Sequence, residues 1–162
     1  TKAAVAPLAS LLTDEKFSHM ARYGLETIPD PSVDEALREA LDKAHGNMLV
    51  GVVASIGVRR DTKAVEQLTK LLTSTEPFVA ETAARSLGNI GTVPAANAIQ
   101  SAIKSAPQKY RLEFCEGLFR CAESLEKQGL QEEAKKIYEF LGSIDAPKQV
   151  KRGVRLGMQK VG

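Results

Sequence analysis

The residues of this chain best suited to binding chemistry are basic, and two of them are consecutive. Arg59 and Arg60 end one predicted helix. Cations at that end interact favourably with the helix dipole and stabilise the helix by about 0.3–1 kcal/mol each. That effect would account for both arginines without a binding partner. Arg59, however, occupies a position that is apolar in the first and third copies of a repeat described below. We therefore also consider that it reaches a carboxylate or phosphate of a partner.

The last predicted helix carries a second basic set. From Lys148 to the C-terminus there are five cations and no anions. Four of the cations share one helical face: Lys148, Lys151, Arg152 and Arg155. Four explanations of this basic face are open: a solvated surface, an acidic partner, acidic sequence elsewhere in a longer chain, and nucleic acid. We take these four residues, with Arg59 and Arg60, as the candidate partner-binding set.

Cysteine and histidine offer little further chemistry. Cys115 and Cys121 lie six residues apart on one predicted helix. That spacing separates them by about 9 Å along the axis and turns their side chains about 120° apart, so they cannot form a disulfide with each other. Neither His19 nor His45 is followed by Glu, as a paired His-Glu metal site would require. We expect no metal site, no cofactor and no catalytic residue.

One cluster of carboxylates lies on a predicted helix. Glu35, Glu39 and Asp42 share a face at i, i+4 and i+7, with Asp34 beside them. Paired carboxylates can act as general acid and base. Cations lie among these residues, so a solvated outer face is the favoured interpretation.

The composition is that of a globular chain. Its 162 residues are 43% hydrophobic and 26% charged, with no Trp and a net charge of +2. This length suits one domain with a sizeable core, and the charge is too small to indicate nucleic acid or a membrane surface. No run approaches the roughly 18 apolar residues of a spanning helix, so we expect a soluble protein. The chain begins at Thr1, which predicts a processed chain or a fragment, and the compartment cannot be read.

The dominant pattern is an internal repeat. An apolar stripe with the helical spacing i, i+4, i+7, i+8 begins at Ala4, Val33, Ala64 and Ala95, at intervals of 29, 31 and 31 residues. Each stripe is followed by a second one, and these second stripes keep a constant interval of 31 residues. The first of them contains Phe17, Met20, Ala21, Leu25 and Ile28. Each copy therefore predicts a pair of helices.

Turn and cap residues agree with this division. Pro29 to Ser32 separates the first two copies, and Ser32 is predicted to cap the next helix. Thr75 is predicted to cap the second helix of the third copy, with Pro77 in its first turn. After a longer helix from Tyr110 to about Lys127, Gly129 is a stop, and helices follow at about 130–141 and 148–160. We expect ten helices in five antiparallel pairs.

The residues of the third copy resemble a known repeat. Val79, Ala83-Ala84, Leu87-Gly88 and Ile90-Gly91, followed by Pro94-Ala95-Ala96 and Ile99, resemble the short HEAT-like repeat named after phycobilisome lyases. This resemblance covers residues 1 to about 122, and the segment from Cys121 to Pro147 resembles a tetratricopeptide hairpin. The resemblance to HEAT-like repeats implies an all-α, right-handed solenoid that forms one domain over 1–162. Within that domain, regular repeats cover 1–122 and divergent helices cover 123–162.

The resemblance also implies a function. Such repeats mediate protein–protein interaction above all, so we expect a non-catalytic scaffold that binds a protein or peptide on a concave, helix-lined surface. The first alternative is polyanion or nucleic-acid binding through Arg59, Arg60 and the basic C-terminal helix, with nucleic acid the less favoured partner. The second is a lyase-like enzyme accessory, supported by fold analogy alone.

Overall fold

Ten α-helices make up the chain in a computed structural model that describes residues 1–162. There are no strands, and three single 3₁₀ turns precede α1, α5 and α8. The helices are α1 (Val5–Ala9), α2 (Ser18–Glu26), α3 (Pro31–Leu41), α4 (Gly46–Arg59), α5 (Val65–Leu71), α6 (Val79–Ile90), α7 (Val93–Ile103), α8 (Arg111–Lys127), α9 (Gln131–Ser143) and α10 (Lys148–Val161). This confirms the predicted number and the all-α class.

Consecutive helices pack as five pairs, and the pairs stack side by side. The second helices α2, α4, α6 and α8 form one continuous row, and α9 and α10 both pack onto α8 at its end. One apolar cluster of 41 buried residues runs through the stack. Leu68 and Leu87, from the first and second stripes of the third copy, are fully buried in it. The arrangement is an α-solenoid, as the repeat predicted.

The row of second helices is held at backbone contact by small residues. A Cβ built on Gly88 of α6 would lie 2.7 Å from the carbonyl oxygen of Gly117 in α8. A Cβ on Gly117 would lie 2.5 Å from the carbonyl oxygen of Ala84. Between α4 and α6, a Cβ on Gly57 would lie 2.7 Å from the Cα of Ser86. Only glycine fits at such distances, so these positions set how closely the repeats approach.

Helix starts follow the turn chemistry, although not always at the predicted residue. Asp30, not Ser32, caps α3: its carboxylate accepts the Ser32 N–H at 3.0 Å, and Pro31 occupies the first turn. The predicted cap at Thr75 is wrong, because α6 begins only at Val79. The residue before it, Phe78, has a left-handed backbone with φ of 64°.

The first copy departs from its predicted apolar stripe. Ala21, Leu25 and Ile28 are buried, but Phe17 and Met20 are 53% and 68% exposed. The inward position of that turn is taken by Ser18, whose hydroxyl donates to the Leu12 carbonyl at 2.8 Å. Helical spacing alone therefore did not predict which residues of this turn are buried and which are exposed.

The last two helices close against α8 and against each other. Gly129, with φ of +80°, forms the turn after α8, as predicted. Gly153 of α10 faces the ring of Phe119 in α8, and Gly157 faces the ring of Tyr138 in α9. The Tyr138 hydroxyl donates to Glu126 at 3.1 Å. No helix of the chain is both long and apolar enough to cross a membrane.

Candidate functional site

The side chain of Arg59 lies inside the fold. Its guanidinium forms a two-pronged ion pair with Asp34 of α3 and donates to the Ile28 carbonyl at 2.9 Å. Weaker contacts reach the carbonyls of Glu26 and Asp30, at 3.4 and 3.3 Å. Only 12% of the side chain is exposed. The anion that Arg59 was expected to meet is therefore a carboxylate of its own chain, and its guanidinium is occupied.

A second ion pair of the same kind follows one helical turn along α3. Arg38 pairs with Asp61, which is buried and whose carboxylate also accepts the Lys63 N–H at 3.1 Å. Asp34 and Arg38 thus bind residues 25 and 23 positions later in the chain. Neither pair is predicted by the sequence. The spacing of the carboxylates favours a solvated acidic face for Asp34, and no local pattern joins α3 to the end of α4.

Arg60 has a different environment from its neighbour. It ends α4 in a left-handed conformation, with φ of 54°, and is exposed. With residues from the ends of α6 and α8 it lines an open cavity of about 200 Å³. We call this the second-helix groove, lined by Arg60, Gly88, Asn89, Arg120, Glu123, Ser124 and Lys127.

The second-helix groove is polar and mostly cationic. Arg60, Arg120 and Lys127 contribute positive charge, and Glu123 contributes the single carboxylate. Arg120 donates to the Asn89 side-chain oxygen at 3.2 Å, which fixes one wall. The groove can therefore accept carboxylate or amide groups of a bound chain. The sequence does contain a signal for this groove, since Asn89 and Arg120 lie 31 residues apart, which is one repeat. The prediction of site residues did not use that spacing.

The basic residues of the last helix do not all face the same space. Lys148, Lys151 and Arg155 line a cavity of about 460 Å³ beside α9, with Gly142 and Val154. We call this the C-terminal groove. Arg152 is exposed but does not line it. The six predicted candidates are thus divided among one internal ion pair, two separate grooves and one outward-facing position.

The cysteines and histidines are the remaining side chains whose chemistry suits a metal site or a nucleophile. No three His, Cys, Asp or Glu side chains lie close enough to hold a metal ion. Both cysteines are free and buried. Burial raises the pKa of Cys115, and it raises the pKa of Cys121 to about 12, so both remain thiols at neutral pH. His19 contacts Arg22 at 3.2 Å and packs against Tyr23.

The fold defines the class of this protein as an α-helical repeat solenoid, and its surface carries two open grooves lined by charged residues. A family model described as HEAT repeats matches residues 33–118, more than half of the chain. The chain therefore belongs to the HEAT repeat family, whose members generally mediate protein interactions and scaffolding and are typically not enzymes. A comparison with curated protein sequences finds no match. The C-terminal groove lies wholly outside the matched residues.

Proposed function

We propose that this chain is a non-catalytic scaffold that binds a protein or peptide segment along its second-helix face. The observation that carries the proposal is the backbone contact between successive second helices at Gly57, Gly88 and Gly117. In the middle of the stack, the first helices α3, α5 and α7 touch each other far less than the second helices α4, α6 and α8 do. A stack that is shorter along one edge bends toward that edge, so the second helices line the concave side.

The chemistry of this face supports a polypeptide ligand. Val58 is 60% exposed on α4, and Asn89 and Arg120 occupy the same register position one and two repeats later. The face thus offers an apolar contact followed by an amide and a guanidinium, close to the cations Arg60 and Lys127. Such a mixture suits a peptide with both apolar and acidic side chains better than a small apolar ligand.

Polyanion binding receives less support as a primary function. Its basis included Arg59, whose guanidinium is held by Asp34 and by backbone carbonyls. Of the remaining candidate cations, Arg60 lines one groove, three from α10 line another that shares no residue with it, and Arg152 lines neither. A polyanion would be best served by one continuous basic track. Fold analogy remains the sole basis for a lyase-like accessory.

A pair of photo-crosslinking variants tests the proposed scaffold. A photoreactive residue at Val58 reports on the second-helix face, and one at Lys104, which is exposed at the end of α7, reports on the opposite edge. In a lysate of cells from the source organism, we expect the Val58 variant to form discrete protein adducts that the Lys104 variant does not form. The Arg120→Glu substitution should remove them. Equal adducts at both positions, or none while the domain retains a small molecule, would contradict the proposal.

A further inference from the structure

The C-terminal groove is an open space between α9 and α10 that no part of the chain fills. Its lining combines three cations with two small residues: Lys148, Lys151, Arg155, Gly142 and Val154. At about 460 Å³ it is larger than the second-helix groove. It shares no residue with that groove, so an inference about it does not rest on the proposed function.

Lys148 lies where positive charge does not stabilise its own helix. Five of the ten helices carry an acidic residue in the first turn, as the helix dipole favours, whereas α1, α2, α4 and α7 carry none. α10 also carries none, and unlike those four helices it begins with a cation, Lys148. Positive charge at a helix N-terminus opposes the dipole, so the stability of α10 does not explain it. An anion that binds there from outside the helix would explain this positive charge.

The chain itself supplies only a weak counter-charge. Lys151 pairs with Asp145 at 3.3 Å, but that carboxylate is 89% exposed. Lys148 and Arg155 form no ion pair within the chain, whereas Lys160 farther along α10 pairs with Glu126. Two of the three groove cations are therefore free to bind an external anion.

The shape of the groove indicates a narrow occupant. Gly142 has no side chain, and a Cβ there would meet only the Val154 methyl group at 3.9 Å, an ordinary contact. From Lys148 to Arg155 the cations extend about 10 Å along α10. An extended polypeptide covers that distance with about three residues. Two carboxylates on such a segment could pair with the free cations while a small apolar side chain lies over Val154.

The same features favour polypeptide over nucleic acid. No aromatic side chain lines the groove for base stacking, and the cationic stretch is only about two turns of helix long. The whole chain has a net charge of only +2. Single-stranded nucleic acid is usually held by longer basic grooves that alternate with aromatic residues. We propose that the C-terminal groove binds a short acidic peptide segment of a partner protein.

Fluorescence anisotropy with a defined probe tests whether the C-terminal groove binds an acidic peptide. The probe is a fluorescein-labelled peptide with a Glu-Glu-Leu-Asp-Glu core in Gly-Ser flanks, and its Gln/Asn analogue is the uncharged control. We expect saturable binding that weakens with added salt. Arg155→Glu should weaken it about tenfold or more, as for other close charge reversals. Arg152→Glu changes net charge equally outside the groove, so its affinity should stay within about twofold of wild type.

A second pair of variants tests the space rather than the charge. Gly142→Leu should fill the groove and abolish binding, whereas Gly142→Ala should leave it nearly unchanged. Circular dichroism confirms that each variant is folded. Three outcomes would overturn the proposal: no saturable peptide binding, equal losses for Arg152→Glu and Arg155→Glu, or tighter binding of a ten-nucleotide single-stranded DNA than of the peptide.

Discussion

The neighbouring arginines Arg59 and Arg60 allow a sharp test of the internal ion pair. They are consecutive residues of the same type, yet Arg59 is 12% exposed and paired with Asp34, and Arg60 is exposed at the helix end. Replacing either with Met keeps most of the apolar stem and removes the charge. If the structural reasoning holds, only Arg59→Met should cost substantial stability.

The expected cost follows from the contacts of the guanidinium. Its hydrogen bond to the Ile28 carbonyl at 2.9 Å is a good charged one, worth about 1.5–3 kcal/mol. The pair with Asp34, whose side chain is 25% exposed, adds roughly 1 kcal/mol after discounting for solvent. The two long carbonyl contacts add little. Arg59→Met should therefore cost about 3 kcal/mol, and Arg60→Met less than about 0.5 kcal/mol.

Urea unfolding followed by far-ultraviolet circular dichroism measures both values. The midpoint should fall for Arg59→Met with little change in the denaturant slope, because the surface exposed on unfolding stays the same. Adding Asp34→Asn gives a double-mutant cycle whose coupling energy isolates the ion pair, with about 1 kcal/mol expected. Equal midpoints for Arg59→Met and Arg60→Met would refute the internal role of Arg59 and return it to the candidate binding surface.

Three further substitutions test the packing of the repeats, an exposed helix position and the capping of α3. Gly117→Ala places a Cβ 2.5 Å from a backbone oxygen of α6, so we expect a net loss of about 1–3 kcal/mol in urea unfolding. Gly142→Ala, whose Cβ would meet only the Val154 methyl group at 3.9 Å, should instead stabilise the chain by about 0.5–1 kcal/mol. For Asp30, the Ser32 hydroxyl and then the Ser32 N–H hold the pKa of the carboxyl below its usual 3.8. A lowered folded-state pKa stabilises above the unfolded value and loses that effect as pH falls through the folded one. The difference in unfolding free energy between wild type and Asp30→Asn should therefore be constant above about pH 5 and change only below about pH 4. A difference that changes near neutral pH, or a Gly117→Ala protein as stable as wild type, would show that these contacts are misassigned.

The register of the helices could be predicted from the sequence because helix periodicity is a local property. A buried stripe repeats every 3.6 residues, and the 31-residue interval copies it from one pair to the next. The buried positions Leu68 and Leu87 follow from that pattern, and the turn at Gly129 follows from the residue type, because glycine tolerates a positive φ. The pattern failed at Phe17 and Met20, which are exposed while the neighbouring Ser18 is buried and bonded to the Leu12 carbonyl.

The candidate surfaces depended instead on contacts between distant parts of the chain. Arg59 and Lys148 both appeared as free cations in a basic stretch. Only packing shows that one is held by Asp34, 25 residues earlier, and that the other lines a groove opposite Gly142. The sequence determined the helices and their repeat, since these arise from local periodicity. The tertiary structure decided which charges are neutralised and which face an open groove, since that depends on how helices far apart in sequence approach one another.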